Sequence, residues 1–203
     1  GNTQLDLDWA RTLIGTGEDY SSKIITDKFD NVYGVGYFRD TLENSTSKGL
    51  NDIIIYKYNP NGNLDWTKSI GSASDDFGLD ICTDNLGYLY ITGFYKHTLY
   101  FNQDSLIFNG GVDAFVAKLD TSGLIIWAKG FGNSGNESGN AIHCDNNGGI
   151  YISGTFGDSL SIDGQTLTSY GSLNNYIIKL NTNGSLIWHN SISSPILNNI
   201  QDL

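Results

Sequence analysis

Residues Asp113–Gly132, DAFVAKLDTSGLIIWAKGFG, read as a β-strand, a tight turn and a second strand that carries Trp127. Val, Phe, Ile and Trp suit the pleated surface of a sheet, and Gly123 can take the positive φ that a short hairpin turn needs. The same unit stands earlier in the chain as DIIIYKYNPNGNLDWTKSIG from Asp52, and later, at the same interval, as NNYIIKLNTNGSLIWHNSIS from Asn174. The chain is therefore a tandem array, and its internal period decides the fold before any single residue does.

The tryptophans give the register: Trp9, Trp66, Trp127 and Trp188 are evenly spaced except for a slightly shorter first interval. Each of the first three is followed at one constant distance by a glycine, Gly36, Gly93 and Gly154. The shortfall of the first unit thus falls between Gly36 and Lys57, where an insertion-tolerant loop is expected. Four apolar segments recur per unit. The first reads SSKIITD, GLDICTD or NAIHCD, and a turn opened by Asp leads to the second, VYGVGYF, LYITGFY or IYISGTF. A variable excursion precedes the third, IIIYKY, AFVAKL or YIIKLN, and the fourth carries the Trp. In the first two runs of each unit, imperfect alternation over short β-rich stretches suits strands with both faces largely buried.

A unit of four antiparallel strands cannot bury both faces of its own small sheet, so it needs neighbours. Radial stacking of such sheets is the β-propeller; an immunoglobulin-like sandwich needs about 100 residues per domain, and a linear solenoid is the remaining alternative. The expected fold is all-β: one partial propeller domain over residues 1–203 with about three four-stranded blades. Blade one is expected at 18–71, blade two at 75–132 and blade three at 136–193, with an unpaired outer strand at 7–14 and the start of a next blade at 196–203. Three blades are too few for a ring of about 4 to 8. The reading is a part of a larger propeller, or a chain that closes a ring with another copy.

Composition excludes several function classes. With 11 basic and 22 acidic residues the formal net charge is −11, which removes the electrostatic attraction that nucleic acid or an anionic membrane surface requires. No apolar run approaches the length of a membrane-spanning helix, and no signal peptide opens the chain. Poor helix formers and 25 Gly against 2 Pro fit a turn-rich β protein. Cys82 aligns with His143, and Cys144 with Thr83. The two thiols thus occupy adjacent repeat positions pointing to opposite faces, which predicts two free structural cysteines.

The segments GLIIWAKGFG, SDDFGLDICTD, NLGYLYITGFY and DAFVAKLD, recurring across nearly the whole chain, resemble the SBBP-type β-propeller repeat, in its Trp-containing form from secreted bacterial surface proteins. That resemblance implies a propeller and an extracellular or cell-surface location, often reached by type IX secretion. It assigns no activity.

Several residues are candidates for chemistry. Glu18 and Asp19, Asp75 and Asp76, and Asn136 and Glu137 hold equivalent places between one unit and the next. Their hard oxygens can hold Ca²⁺ or contact a ligand, although no EF-hand spacing is present, and carboxylates accepting backbone N–H bonds account for the repetition equally well. No other cofactor is expected. Asp27, Asp84 and Asp145, with Asp52, Asp113 and Asn174, read as turn and strand-end residues. Lys57, Lys118 and Lys179, with Arg11, Lys68 and Lys129, can pair with them across strands. The Trp residues read as packing between blades. His97, His143 and His189 fall at three different repeat positions and form no zinc spacing. In the excursions, Asp40-Thr41-Leu42, Asp104-Ser105-Leu106 and Asp158-Ser159-Leu160 resemble a bacterial O-glycosylation signal, with Thr41, Ser105 and Ser159 as acceptors.

No nucleophile elbow, phosphate loop or catalytic triad breaks the repeat. The expectation is a non-catalytic surface scaffold that binds protein or glycan through its variable excursions. The alternatives are part of a polysaccharide-acting propeller enzyme whose active site lies in other blades, and a structural spacer stabilised by Ca²⁺. Expected partners are a surface protein or glycan and the remaining blades or another copy, with no nucleic acid and no membrane insertion.

Overall fold

The computed structural model describes residues 8–101, 104–145, 147–169 and 173–192. No helix occurs among them. In chain order the strands are β1 (Asp19–Thr26), β2 (Val32–Leu42), β3 (Ser45–Tyr58), β4 (Leu64–Ile70), β5 (Asp76–Thr83), β6 (Leu89–Tyr95), β7 (Leu99–Phe101) and β8 (Asp104–Leu106). They continue with β9 (Asp113–Leu119), β10 (Ile125–Phe131), β11 (Glu137–Cys144), β12 (Ile150–Phe156), β13 (Ser159–Ile162), β14 (Gln165–Thr168), β15 (Asn174–Leu180) and β16 (Leu186–Ile192). Each repeat makes one four-stranded antiparallel sheet: β1-β2-β3-β4, then β5-β6-β9-β10, then β11-β12-β15-β16. The expected run at 196–203 lies outside the described residues.

The core sits between the sheets. From the second sheet, Leu89, Ile91, Phe115 and Leu119 join Tyr33, Val35, Ile53 and Ile55 of the first. The intervening residues Tyr90, Ala114 and Val116 join Ile142, Ile152, Tyr176 and Ile178 of the third. Successive residues of β6 and β9 thus feed opposite interfaces, which is why these runs read as continuously apolar. Burying a Leu, Ile or Phe side chain this way stabilises by roughly 1.5–3 kcal/mol each. The opening strands of the sheets lie together, with β5 packed against both β1 and β11.

Each opening strand carries a β-bulge at the same place, at Ser22, Leu79 and Asn140. The bulge presses a carbonyl onto the glycine of the neighbouring strand. A Cβ on Gly36, Gly93 or Gly154 would stand 1.9, 1.9 or 1.8 Å from the oxygen of Tyr20, Phe77 or Ser138. Only glycine tolerates that approach, so the constant interval from each Trp to its glycine records a packing constraint.

The tryptophans bind one unit to the next. The indole N–H of Trp9 donates to the oxygen of Pro60 at 3.2 Å, that of Trp66 to Thr121 at 3.1 Å and that of Trp127 to Thr182 at 3.2 Å. Each acceptor lies in the β-turn before the next unit's Trp strand, beside Gly62, Gly123 or Gly184, where a Cβ would meet the indole at 2.6, 3.2 or 3.1 Å. Trp188 donates to no such turn among the described residues and is 40% exposed. The Trp9 segment, expected as an outer strand, is in no strand over residues 8–14. Its indole stacks on Tyr58 at 5.9 Å, and no strand among the described residues forms a ladder with it.

Two expectations are corrected. Cys82 and Cys144 are not free: they form a disulfide between β5 and β11, with Cα atoms 5.9 Å apart. Pointing to opposite faces of their own sheets is what brings side chains of two stacked sheets into one interface, so the alternation that seemed to separate them joins them. The excursions are not open loops either. The first extends the β2–β3 hairpin, Thr41 pairing with Thr46, while the second and third form the hairpins β7–β8 and β13–β14. Their Leu99, Phe101, Leu106, Leu160, Ile162 and Leu167 are buried in the inter-sheet cores.

Candidate functional site

The acidic positions between units divide into two kinds. Asp76 and Glu137 are buried, Asp75 is half-buried, and Glu18, Asp19 and Asn136 are exposed. Asp76 Oδ2 accepts the Ser72 N–H at 2.6 Å, and Glu137 Oε2 accepts the Asn133 N–H at 2.9 Å. Each closes the loop that precedes its strand, so a folding role explains the repeated acid. Burial raises the pKa of Asp76 to about 7 and that of Glu137 to about 7, against the bonds that favour the ions. Asp19 is raised by desolvation. Desolvation also opposes the Asp75 carboxylate, but Asn51 at 2.7 Å and Lys96 at 3.3 Å outweigh it and hold the pKa low.

Asp52 and Asp113, read as strand-end residues, lie fully buried beside these acids. Among the described residues no group of three or more His, Cys, Asp or Glu is arranged to hold a metal ion. The acids therefore form pairs at the seams between sheets, Asp52 with Asp76 and Asp113 with Glu137.

The turn acids behave alike in all three units. Oδ1 of Asp27, Asp84 and Asp145 accepts the backbone N–H two and four residues on, and Oδ2 accepts the hydroxyl of Tyr33, Tyr90 or Tyr151 at 3.2, 3.0 or 3.1 Å. Lys57 pairs with Asp65 at 3.0 Å, Lys179 with Asp145 at 3.6 Å and Lys129 with Asp163 at 2.7 Å. Lys118 lies over the Tyr88 ring at 3.9 Å and donates to Thr182.

Between the turns of the first two sheets opens a cleft of about 450 Å³, lined by Asp27, Phe29, Tyr33, Lys57, Asp84 and Leu86 among others. Phe29 and Leu86 are 66% and 80% exposed. The sequence carried a signal for this cleft: an apolar residue in each of two otherwise polar turns, DKFDN and DNLGY, is out of place unless it packs or binds. A second feature missed in the sequence is Asp80, whose equivalents are Lys23 and Ala141. Its Oδ2 accepts the Ile142 N–H of the third sheet at 2.8 Å, and Oδ1 stands 4.0 Å from Lys23 Nζ of the first. One buried carboxylate therefore ties three opening strands together, at a position where the repeats disagree.

The excursion hydroxyls differ in setting. Thr41 and Ser105 are exposed, the Thr41 hydroxyl sharing a hydrogen bond with Thr16 at 2.8 Å. Ser159 is half-buried and its hydroxyl accepts from Asn133 Nδ2 at 2.8 Å.

No protein-family model matches the chain. The chain is 27% identical over 206 residues to an uncharacterized WD repeat-containing protein of Acanthamoeba polyphaga mimivirus. The alignment covers 84% of this chain and 14% of that protein, so the chain spans about one seventh of the relative's length. Three stacked antiparallel sheets together with this similarity describe an all-β repeat scaffold.

Proposed function

We propose that the chain is part of a β-propeller of the SBBP type that acts as a non-catalytic, protein-binding scaffold outside the cell. The observation that carries the reading is the repeated tryptophan contact. Trp9, Trp66 and Trp127 each dock on the turn of the next sheet, and the Trp188 indole is 40% exposed. The disulfide supports an oxidising compartment. No helix among the described residues is long and apolar enough to cross a membrane. Thr41 and Ser105 remain the accessible positions for O-glycosylation, and an intact mass equal to that of the bare chain, measured on protein from the native host, would remove that part of the proposal.

Binding is assigned to the cleft between the turns of the first two sheets, where Phe29 and Leu86 flank polar turn residues. Selection of a phage-displayed random peptide library on the chain tests it. Enriched peptides are expected to bind at least ten-fold more weakly to a Phe29→Ala, Leu86→Ala double variant, whose exposed substitutions leave the fold intact. Peptides that bind both proteins equally, or no enrichment at all, would contradict the assignment.

A further inference from the structure

Asp113 opens β9, Glu137 opens β11, and their carboxyl groups meet at the seam between the second and third sheets. Asp113 Oδ2 accepts the Asn109 N–H at 2.7 Å, as Glu137 Oε2 accepts that of Asn133. The other oxygens, Asp113 Oδ1 and Glu137 Oε1, are buried without a well-aligned hydrogen bond among the described residues, although the Gly157 N–H faces the Glu137 carboxyl and favours its ion. A Cβ on Gly132 would stand 2.3 Å from Asp113 Oδ1 and 2.7 Å from Glu137 Oε2, so these two oxygens are at most about 5.0 Å apart.

The groups that face the pair are Tyr95 from β6, Tyr176 from β15 and Asp158 beyond β12. None is a cation. Two carboxylates this close, out of water and without a counter-charge, cannot both be ionised at ordinary cost.

We propose that the Asp113–Glu137 seam binds one proton between its two carboxyl groups, so that the grip of the second sheet on the third weakens as pH rises past neutrality. The internal repeat supplies independent support. At the position of Asp113, the third unit carries Asn174, a neutral isostere with a permanent donor, and its Nδ2 donates to Ser169. The chain itself thus places either an acid or an amide there, as a site that needs a neutral donor would.

The seam between the first and second sheets repeats the arrangement. Asp52 Oδ2 accepts the Lys48 N–H at 2.9 Å, its Oδ1 is unpartnered, and Asp76 lies beside it. Tyr95 and the Lys96 backbone also face Asp76. Here the Lys48 charge lies near Asp52 and favours its ion.

Burial pushes Asp113 up to about 6 and Glu137 up to about 7, the Asp113 charge adding to the latter. Carboxyl groups raised in the folded state contribute stability that is complete below the unfolded carboxyl range, near pH 4, and is lost as pH climbs through about 6 to about 7.

The test is thermal unfolding at about pH 5.5 and about pH 8.5, with and without Ca²⁺. Wild type is expected to melt roughly 4 °C or more lower at the higher pH, with no response to Ca²⁺. Asp113→Asn is expected to raise the melting temperature at the higher pH and to narrow the gap between the two. A melt that is flat with pH, or an Asp113→Asn variant that melts lower at the higher pH, overturns the proposal. So does stabilisation by Ca²⁺ that Asp113→Asn abolishes, which would make the seam a cation site. The infrared carbonyl band of a protonated carboxylic acid, read on wild type at neutral pH, does not depend on the variant folding; its absence overturns the proposal as well.

Discussion

Gly93 and Gly154 show how a residue can be invariant through the repeats for steric reasons alone. A methyl group on Gly93 would lie 1.9 Å from the Phe77 oxygen, so Gly93→Ala must displace either the bulge or β6. The expected cost is about 3 kcal/mol, read as a shift of the urea midpoint. Gly164→Ala is the matched control. Gly164 has φ +75° and nothing within 4 Å of its Cβ position, so the expected cost is the smaller left-handed strain of about 1 kcal/mol. Gly93 has no positive φ, so an effect no larger than that of Gly164→Ala would show that the close carbonyl yields at little cost. The turn acids are a second case. Asp84 satisfies two backbone N–H groups and the Tyr90 hydroxyl, so Asp84→Ala is expected to destabilise by about 2 kcal/mol in the same measurement. Sequence reading identified these turn residues as structural, since Asp and Asn favour such turns by their own chemistry. It did not reach Asp80, because an acid inside an apolar strand does not show which neighbouring sheet its carboxylate serves.

The twelve strands of the three sheets were legible because their apolar runs recur in phase, and a recurrence filters out the ambiguity of any single run. The excursions were not legible as hairpins. Their apolar residues, such as Leu160 and Leu167, alternate over strands of only four residues, too short for a period to stand out. Once formed, these hairpins cover the seams: Asn133 reaches Ser159 and Ser161, and Lys129 reaches Asp163. Leu160 is fully buried among Phe156, Ile178 and their neighbours. Leu160→Ala is therefore expected to cost about 3 kcal/mol by calorimetric melting, as a core substitution does. A change of under about 0.5 kcal/mol would mean that the hairpin is a free surface element after all. The consequence for function is a move of the candidate binding surface away from the excursions and toward the turns that carry Phe29 and Leu86.

Across the whole molecule, three sheets are held by apolar seams, by a tryptophan contact at each step and by one disulfide. The disulfide was misread because alternation was applied within a sheet, whereas Cys82 and Cys144 face each other between two. They are 62 residues apart, and closing a loop of that size stabilises by about 4 kcal/mol in the chain-entropy model. Reduction is expected to lower the melting temperature by roughly 10 °C while keeping the strand signature in circular dichroism. Each sheet is fastened to the next by an indole N–H on a turn carbonyl, while the Trp188 indole has no such bond among the described residues. Hydrogen exchange of the four indole N–H groups, followed by NMR on the full chain at a concentration where sedimentation shows a monomer, tests it most directly. Trp9, Trp66 and Trp127 are expected to be protected and Trp188 to exchange fast; protection of Trp188 equal to the others, or fast exchange at Trp66 and Trp127, would contradict this fastening.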